Sequence, residues 1–489
     1  MKSLFHGAFL RGASSKVLSG MLAISLAACA AVPQPLNRPG DVPEAFTAPM
    51  DKTAPIWPQA DWWGKFGAPE LAALQVTAQK ENLDIAQAAS RILQAEARDG
   101  VAVAALFPTL NGSFGASRSG ANLPSRTSGL RAQNAFTADL NASYQQGLFG
   151  TQYFNLQVAR EDLRFARYVA AATGITTAEN VASVYFSVLS FRERIAVANA
   201  NIAAAKRILA ITQAKVNSGV ASNLDLAQEQ AIVAQQESTL PGLIEAEKEA
   251  RYSLAILLGK APEGFDVNAQ NLDGIEAPTI QPGLPSELLL RNPGIAQAEA
   301  NLYAAHANVN AARSTYFPSL GLTGGAGYGP VTALSNLFSS PNFAWSIGAS
   351  VVQNIFDGGR IHAQNDLADA QQLELIAAYR KTVFTAFQDV ESALGTMKAD
   401  TDQLALIQVQ VRADAEAFRI SELQYREGTI DIVQLLQNQQ NLFNAQQILV
   451  LTKLQRLQAY LALYSALGGG WEQKADDANY KNQLDWWPL

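Results

Sequence analysis

Side chains able to do chemistry are few and scattered in this chain. It has three histidines, His6, His306 and His362, and a single cysteine, Cys29. A protein metal site needs His, Cys or carboxylate ligands clustered at short spacing, and no such cluster occurs. Nucleophilic catalysis needs a serine or thiol with a histidine base and an orienting acid, and no such set is evident. His306 and His362 sit alone on helical segments, and Asp366 and Asp369 read as a solvated helix face. The run Gly324-Gly325-Ala326-Gly327-Tyr328-Gly329 echoes a phosphate-binding loop. It opens no helix, as such a loop must, and reads as an ordinary loop between strands. No metal, cofactor or enzymatic activity is expected.

The one cysteine has a different reading. Lys2, Arg11 and Lys16 precede a mostly small or apolar run over residues 17–28, the form of an export signal. The run ends Leu26-Ala27-Ala28-Cys29. That tetrad resembles the bacterial lipoprotein box, in which the signal is cut before a diacylated cysteine. A lone cysteine cannot make an intrachain disulfide, so lipid attachment accounts for it. Ala30 follows, where aspartate would hold a lipoprotein at the inner membrane. Residues 1–28 are read as a signal peptide, and delivery to the outer membrane is expected.

Charge narrows the partners. The 489 residues carry a net charge of −7, and removal of the basic signal leaves about −10. Nucleic-acid binding requires a basic surface, so no nucleic-acid partner is expected. Beyond the signal no apolar run of about 18 residues suggests a transmembrane helix. Residues 29–68 contain Pro33, Pro35, Pro39, Pro43, Pro49, Pro55 and Pro58, a density that excludes helix and central strand. An extended segment is expected there, with Trp57, Trp62 and Trp63 docking its end on an apolar surface.

The body of the chain repeats itself, and repeats govern the whole reading. Asn82-Leu83-Asp84-Ile85-Ala86-Gln87-Ala88 aligns with Asn292-Pro293-Gly294-Ile295-Ala296-Gln297-Ala298 at an offset of 210. The same offset carries Phe107-Pro108 onto Phe317-Pro318, and Gly219 and Leu258-Gly259 match Gly428 and Leu467-Gly468 at nearly the same distance. We read repeat 1 over residues 69–273, a linker over 274–284, repeat 2 over 285–470 and a tail over 471–489. Each copy opens with a helix of about 35 residues, 71–106 or 287–316, ended by the Phe-Pro step. Two alternating segments follow, about 109–119 and 135–147 in the first copy and 319–328 and 343–353 in the second. Phe136, Ala138, Leu140, Ala142 and Tyr144 point one way and Thr137, Asp139, Asn141 and Ser143 the other, the period of a strand with one lipid and one wet face. A helix of about 95 Å comes next, then a tight turn at 217–222 or 426–431, then a returning helix.

These parts demand neighbours. Four strands per chain cannot close a membrane barrel, whose smallest forms have about eight, and an open edge in lipid strands its backbone groups. Three chains would supply twelve strands. The architecture expected is mainly α with a small β part: a duplicated helix–strand–strand–long helix–helix unit whose trimer forms a twelve-strand barrel continued by a helical barrel. A periplasmic structural lipoprotein with soluble hairpins is the alternative the residues leave open.

Several runs together resemble the outer membrane factor family, the TolC/OprM-like channel-tunnels. They are Leu284-Pro285-Ser286-Glu287-Leu288-Leu289 with Arg291-Asn292-Pro293-Gly294-Ile295, Asn354-Ile355-Phe356-Asp357-Gly358-Gly359-Arg360, Phe387-Gln388-Asp389-Val390-Glu391-Ser392-Ala393-Leu394 and Ala466-Leu467-Gly468-Gly469-Gly470-Trp471. Gly294 departs from the family's usual aspartate. The lipoprotein box and the Gly-Gly-Gly-Trp ending resemble the NodT-like lipoprotein branch. The resemblance implies an outer-membrane exit channel of a tripartite efflux pump, passing small toxic compounds. It implies a homotrimer anchored in outer-membrane lipid, a periplasmic adaptor and an inner-membrane pump of the resistance-nodulation-division type. A type I protein secretion duct is the alternative within the family. It further implies a periplasmic gate at Gly219, Asp225, Tyr425, Gly428, Gln434 and Gln437, with a Tyr425–Asp225 bond closing it. Gln434 and Gln437 stand where some members carry acidic residues, and Ile430 where some carry arginine. Adaptor contact is implied at Val220, Ala221, Ser222, Thr429, Ile430 and Asp431.

Overall fold

Both copies fold into the same succession of elements. The computed structural model describes residues 42–43, 45–47, 61–121, 131–276 and 283–471; Cys29 and Trp57 lie outside them. The first copy comprises α1 (Pro69–Glu81), α2 (Leu83–Ala104), β1 (Thr109–Ala121), β2 (Arg131–Gly147), α3 (Thr151–Asn217) and α4 (Asn223–Leu257). The second comprises α5 (Pro285–Arg291), α6 (Pro293–Ser314), β3 (Ser319–Val331), β4 (Phe343–Val352), α7 (Arg360–Glu427) and α8 (Ile432–Ala466). Two compact units cut across the duplication, each drawing on both copies.

One unit, built from Gln94–Arg164 and Ala300–Ala378, holds the sheet. Its order is β1-β2-β3-β4, all antiparallel, with β1 and β4 as edges. Directly paired residues share a face, so the register sorts the side chains. Gly112, Leu140, Ala326 and Trp345 form one row, and Leu110, Ala142, Gly324 and Ile347 the next. The opposite face carries Ser113, Asp139, Gly327 and Ala344, then Asn111, Asn141, Gly325 and Ser346. Trp345 and Ile347 are 68% and 83% exposed, a degree of apolar exposure that only lipid or another chain can cover. The strands of 13, 17, 13 and 10 residues reach or exceed the roughly 9–11 needed to cross a bilayer at a tilt.

The glycine run expected as a loop lies within β3 instead. Two of its glycines face polar side chains across the ladder: a Cβ on Gly327 would meet the Asp139 carboxylate at 2.2 Å, and one on Gly325 the Asn141 amide oxygen at 3.2 Å. Small residues are required there by close packing, and a phosphate loop is not what they form. His306 and His362 are not alone either. His306 contacts Gln372 at 3.2 Å and His362 contacts the Tyr316 hydroxyl at 3.3 Å. Asp369 pairs with Arg313 at 3.1 Å, and Asp366 lies 3.6 Å from His362.

The other unit contains α1, α4, α5 and α8 and the rest of α2, α3, α6 and α7, which both units share. Its opening helices are not continuous, contrary to the expectation of single helices of about 35 residues. Asn82 and Asn292 interrupt them with extended backbone, ψ 128° and 113°. Each asparagine carbonyl oxygen accepts two backbone N–H groups of the following helix, from Asp84 and Ile85 at 2.9 and 3.0 Å, and from Gly294 and Ile295 at 2.8 and 3.3 Å. These are N-caps, which satisfy donors a helix start leaves free. Each asparagine amide donates to the end of the returning helix: Asn82 to the Leu257 carbonyl at 2.7 Å, Asn292 to that of Ala466 at 3.5 Å. The glycine after each returning helix seals the joint. Gly259 and Gly468 have φ +66° and +86°, and a Cβ there would fall 2.1 Å from the Glu81 carbonyl and 1.9 Å from that of Arg291.

The start of the described body docks on an aromatic core in this unit. Trp62, 2% exposed, lies 4.8 Å from Tyr464 and 5.9 Å from Phe66 between ring centroids. Val181, Tyr185, Phe186 and Leu189 of α3 are buried in the same unit. By composition and length α3 includes a stretch apolar enough to cross a membrane, where the sequence reading expects none; its buried residues show that part of this apolarity serves packing.

The segment after α4 is tied down by charge. Arg192 donates to Glu247 at 2.9 Å, to the carbonyls of Val267 and Ala269 at 2.6 and 2.8 Å, and also bonds Asp266. Glu70 accepts the backbone N–H groups of Asn268 and Ala269 and the Tyr185 hydroxyl. Burial pushes the Glu70 carboxyl up, and these hydrogen bonds more than offset it, leaving it below the usual range. Lys453 bridges Glu193 and Asp273 at 2.7 and 3.0 Å.

Candidate functional site

The implied gate residues lie at the turns between long helix and returning helix, Gly219 and Asp225 in the first copy and Tyr425, Gly428, Gln434 and Gln437 in the second. Gly219 and Gly428 take φ +77° and +80°, the left-handed step that ends a helix. In the first turn Ser222 Oγ accepts the Asp225 N–H at 3.2 Å and the Asp225 carboxylate accepts the Ser222 N–H at 2.9 Å. This reciprocal capping box occupies the carboxylate that was expected to meet Tyr425. In the second turn Asp431 caps α8 by accepting the Gln434 N–H at 3.0 Å.

Tyr425 is 4% exposed and its hydroxyl pairs with Thr212 of α3 at 3.1 Å. The expected Tyr425–Asp225 bond is therefore not formed within the chain. Lys215 donates to the Tyr425 carbonyl and stands 4.4 Å from the centre of its ring. Burial raises the Tyr425 phenol above its ordinary value, with Asp225 and Glu229 adding to the rise against the Thr212 bond. A fourth tie lies further along: Arg207 of α3 forks onto Glu422 of α7, both bonds 3.1 Å. The two copies' hairpins are thus joined through α3 and α7. Beneath them Ala205, Ile208, Val233, Phe418, Ile432, Leu435, Leu442 and Phe443 form one apolar cluster.

The remaining implied residues divide by exposure. Val220 is 71% exposed, and Ser222, Thr429 and Asp431 are exposed. Ala221 is half-buried, and Ile430 packs on the apolar cluster. Gln434 and Gln437 are exposed and donate to Asn438 at 3.4 Å and Asn441 at 3.0 Å. Sequence reasoning missed Thr212, Lys215, Arg207, Glu422 and the buried Glu229. Only the Ser222–Asp225 spacing carried a readable signal, that of a capping box.

Comparison with known proteins decides the family. The family model described as outer membrane efflux protein matches residues 74–260 and 284–469, the two copies in turn. The chain belongs to the outer membrane efflux protein family. The pyoverdine export outer membrane protein OpmQ of Pseudomonas aeruginosa is 35% identical, over 91% of this chain and 95% of its own length. The cation efflux system protein CusC of Escherichia coli is 28% identical, over 94% and 99%. Among solved structures, the open-state MtrE outer membrane channel of Neisseria gonorrhoeae superposes with a TM-score of 0.80 at 27% identity, covering 91% of this chain and 99% of that one. This family member is a non-enzymatic outer-membrane exit channel of a tripartite efflux pump. It works as a homotrimer with a periplasmic adaptor and an inner-membrane resistance-nodulation-division pump. The trimer supplies what β1 and β4 lack, since three four-stranded sheets close edge to edge.

Proposed function

We propose that the two hairpins form the periplasmic gate of this channel, with Tyr425 as its central tie and Gly219, Asp225, Gly428, Gln434 and Gln437 around it. The observation that carries this reading is the buried Tyr425 side chain bonded across the copies to Thr212. Asp225 serves the gate by fixing the start of α4 through its cap. Val220, Ala221, Ser222, Thr429, Ile430 and Asp431 form the surface that receives the adaptor, and Cys29 carries the lipid anchor. Tyr425→Phe keeps the ring and deletes the hydroxyl. It should raise single-channel conductance of the purified trimer in a planar bilayer, and vancomycin entry into cells. Unchanged values in both assays reject the gate.

The cargo follows from relatives and from the gate's chemistry. OpmQ is named for pyoverdine export and CusC for cation efflux. Between Asp431 and Lys453 α8 has no charged side chain, only amides, apolar residues and Thr452, so it offers cations no carboxylate ring. A small organic solute of the exported siderophore kind fits this surface better than a bare cation. Deleting the gene should lower export of such a solute and leave tolerance of metal cations unchanged; the reverse pattern favours cation efflux.

A further inference from the structure

The apolar cluster below the turns contains a carboxyl that the gate does not account for. Glu229 of α4 is 0% exposed, and so is Gln439 of α8. Glu229 lies one helical turn before Val233, and Gln439 lies one turn after Leu435 and just before Leu442 and Phe443, all cluster residues. Neither Glu229 oxygen has a hydrogen-bond partner, and neither do the amide nitrogen and oxygen of Gln439. The two side chains are near enough for Gln439 to favour the charged carboxylate, but no bond of good geometry joins them. Unpaired buried polar groups are costly, and an unpaired buried carboxylate much more so.

The charged neighbours are already committed. On α3, Lys206 pairs with Glu237 at 2.6 Å, Arg207 pairs with Glu422 of α7, and Lys215 serves the Tyr425 carbonyl. Arg426 and Glu427 of α7 are exposed. On α4 itself Asp225 is held in its capping box. Tyr425 and Asp225 add no positive charge, and α8 has no charged side chain before Lys453. No cation is therefore bonded to Glu229.

A neutral carboxyl and a primary amide are complementary, since each offers one donor and one acceptor to the other. An ionised carboxylate can only accept. We propose that Glu229 and Gln439 form a proton-dependent seam between the two hairpins, closed while Glu229 is protonated and loosened when its proton is released to periplasmic water. Alkaline conditions then favour opening of the gate. Burial pushes the Glu229 carboxyl up to about 7, from an ordinary 4.5, so the neutral form is within reach of mild pH. The packed state holds the proton up to pH about 7, whereas a hydrated Glu229 in an opened seam loses it near 4.5. Opening is therefore favoured increasingly as pH rises between those values, and levels off above 7. Between pH 5.5 and 8.5 the open-to-closed ratio should rise roughly 30-fold.

This inference rests on the gate reading, and one set of recordings separates the two. Open probability of the purified trimer in a planar bilayer is measured from pH 5.5 to 8.5, for the natural chain and for Glu229→Gln, with infrared spectra of both. The natural chain should show the rise with a plateau above pH 7, and a protonated-carboxyl band at pH 6. Glu229→Gln should show neither, while still conducting. A conducting trimer whose opening ignores pH, or a Glu229→Gln trimer that keeps the rise, overturns the seam and leaves the gate standing. If the seam is pH-blind and Tyr425→Phe also leaves conductance unchanged, both fall together.

Discussion

The joints at Asn82 and Asn292 and the turns at Gly219 and Gly428 are both duplicated features, yet they have fared differently. At the joints the two copies solve one problem with the same set of partners. An asparagine caps the second half of a broken helix and reaches across to the returning helix, and a left-handed glycine closes on the carbonyl before the break. At the turns the left-handed glycines and a side-chain cap, Ser222 or Asp431, recur, and the residues around them differ. The first hairpin begins α4 with a Ser222–Asp225 box and buries Glu229; the second begins α8 with Asp431 and follows it with amides. Backbone geometry holds the joints, where few residue types fit. The turns are free to differ once the chain has reversed, and their differences supply the ties that cross between copies.

The largest effects should come from the joint glycines. Gly259→Ala and Gly468→Ala each place a Cβ inside contact distance of a backbone carbonyl at positive φ. The left-handed penalty alone is about 1–2 kcal/mol, and backbone has to shift as well, so about 3 kcal/mol or more is expected. Heating trimers in detergent and following their dissociation should show a lowered midpoint for both. Tolerance of either change would break the equivalence of the joints.

The asparagines sharpen the comparison, because their second bonds differ. Asn82→Ala removes a cap, worth about 1 kcal/mol, and leaves the Leu257 carbonyl without its 2.7 Å donor, about 1 kcal/mol more. Asn292→Ala loses a similar cap, but its bond to Ala466 is already long at 3.5 Å. Asn82→Ala should therefore lower the dissociation midpoint more. Equal losses would mean that the caps alone carry the joint.

These joints mark where reading the sequence stops. Alternation in residues 136–144 and the apolar stripes of the long helices are local signals, and they point to strands and helices where the structure has them. The break at Asn82 has no proline or glycine beside it and reads as an uninterrupted helix; its cause is a carbonyl at Leu257, far along the chain. Arg192 with Glu247 and Asp266, and Arg207 with Glu422, are likewise pairings that no spacing announces. Glu229 sits among glutamines and would be placed in water by its type. Its burial follows only from the packing of α8 against α4. The Tyr425–Asp225 bond, implied by resemblance, meets a local competitor: the Ser222 N–H before α4 donates to the carboxylate.

Arg207→Ala is the mildest change, and it tests whether the turns differ from the joints in kind. The pair with Glu422 is half exposed, at 55% for the Arg207 side chain, so its contribution to stability should be under about 1 kcal/mol and the trimer's dissociation midpoint should hardly move. Its geometry is still bidentate and spans the two hairpins, which is where a small energy can shift a balance between closed and open forms. The expected result is a rise in open probability, largest at low salt where the pair is least screened, with thermal stability preserved. Loss of stability without a change in opening would make this tie structural, like the joints, and would return the gate to Tyr425 and Thr212 alone.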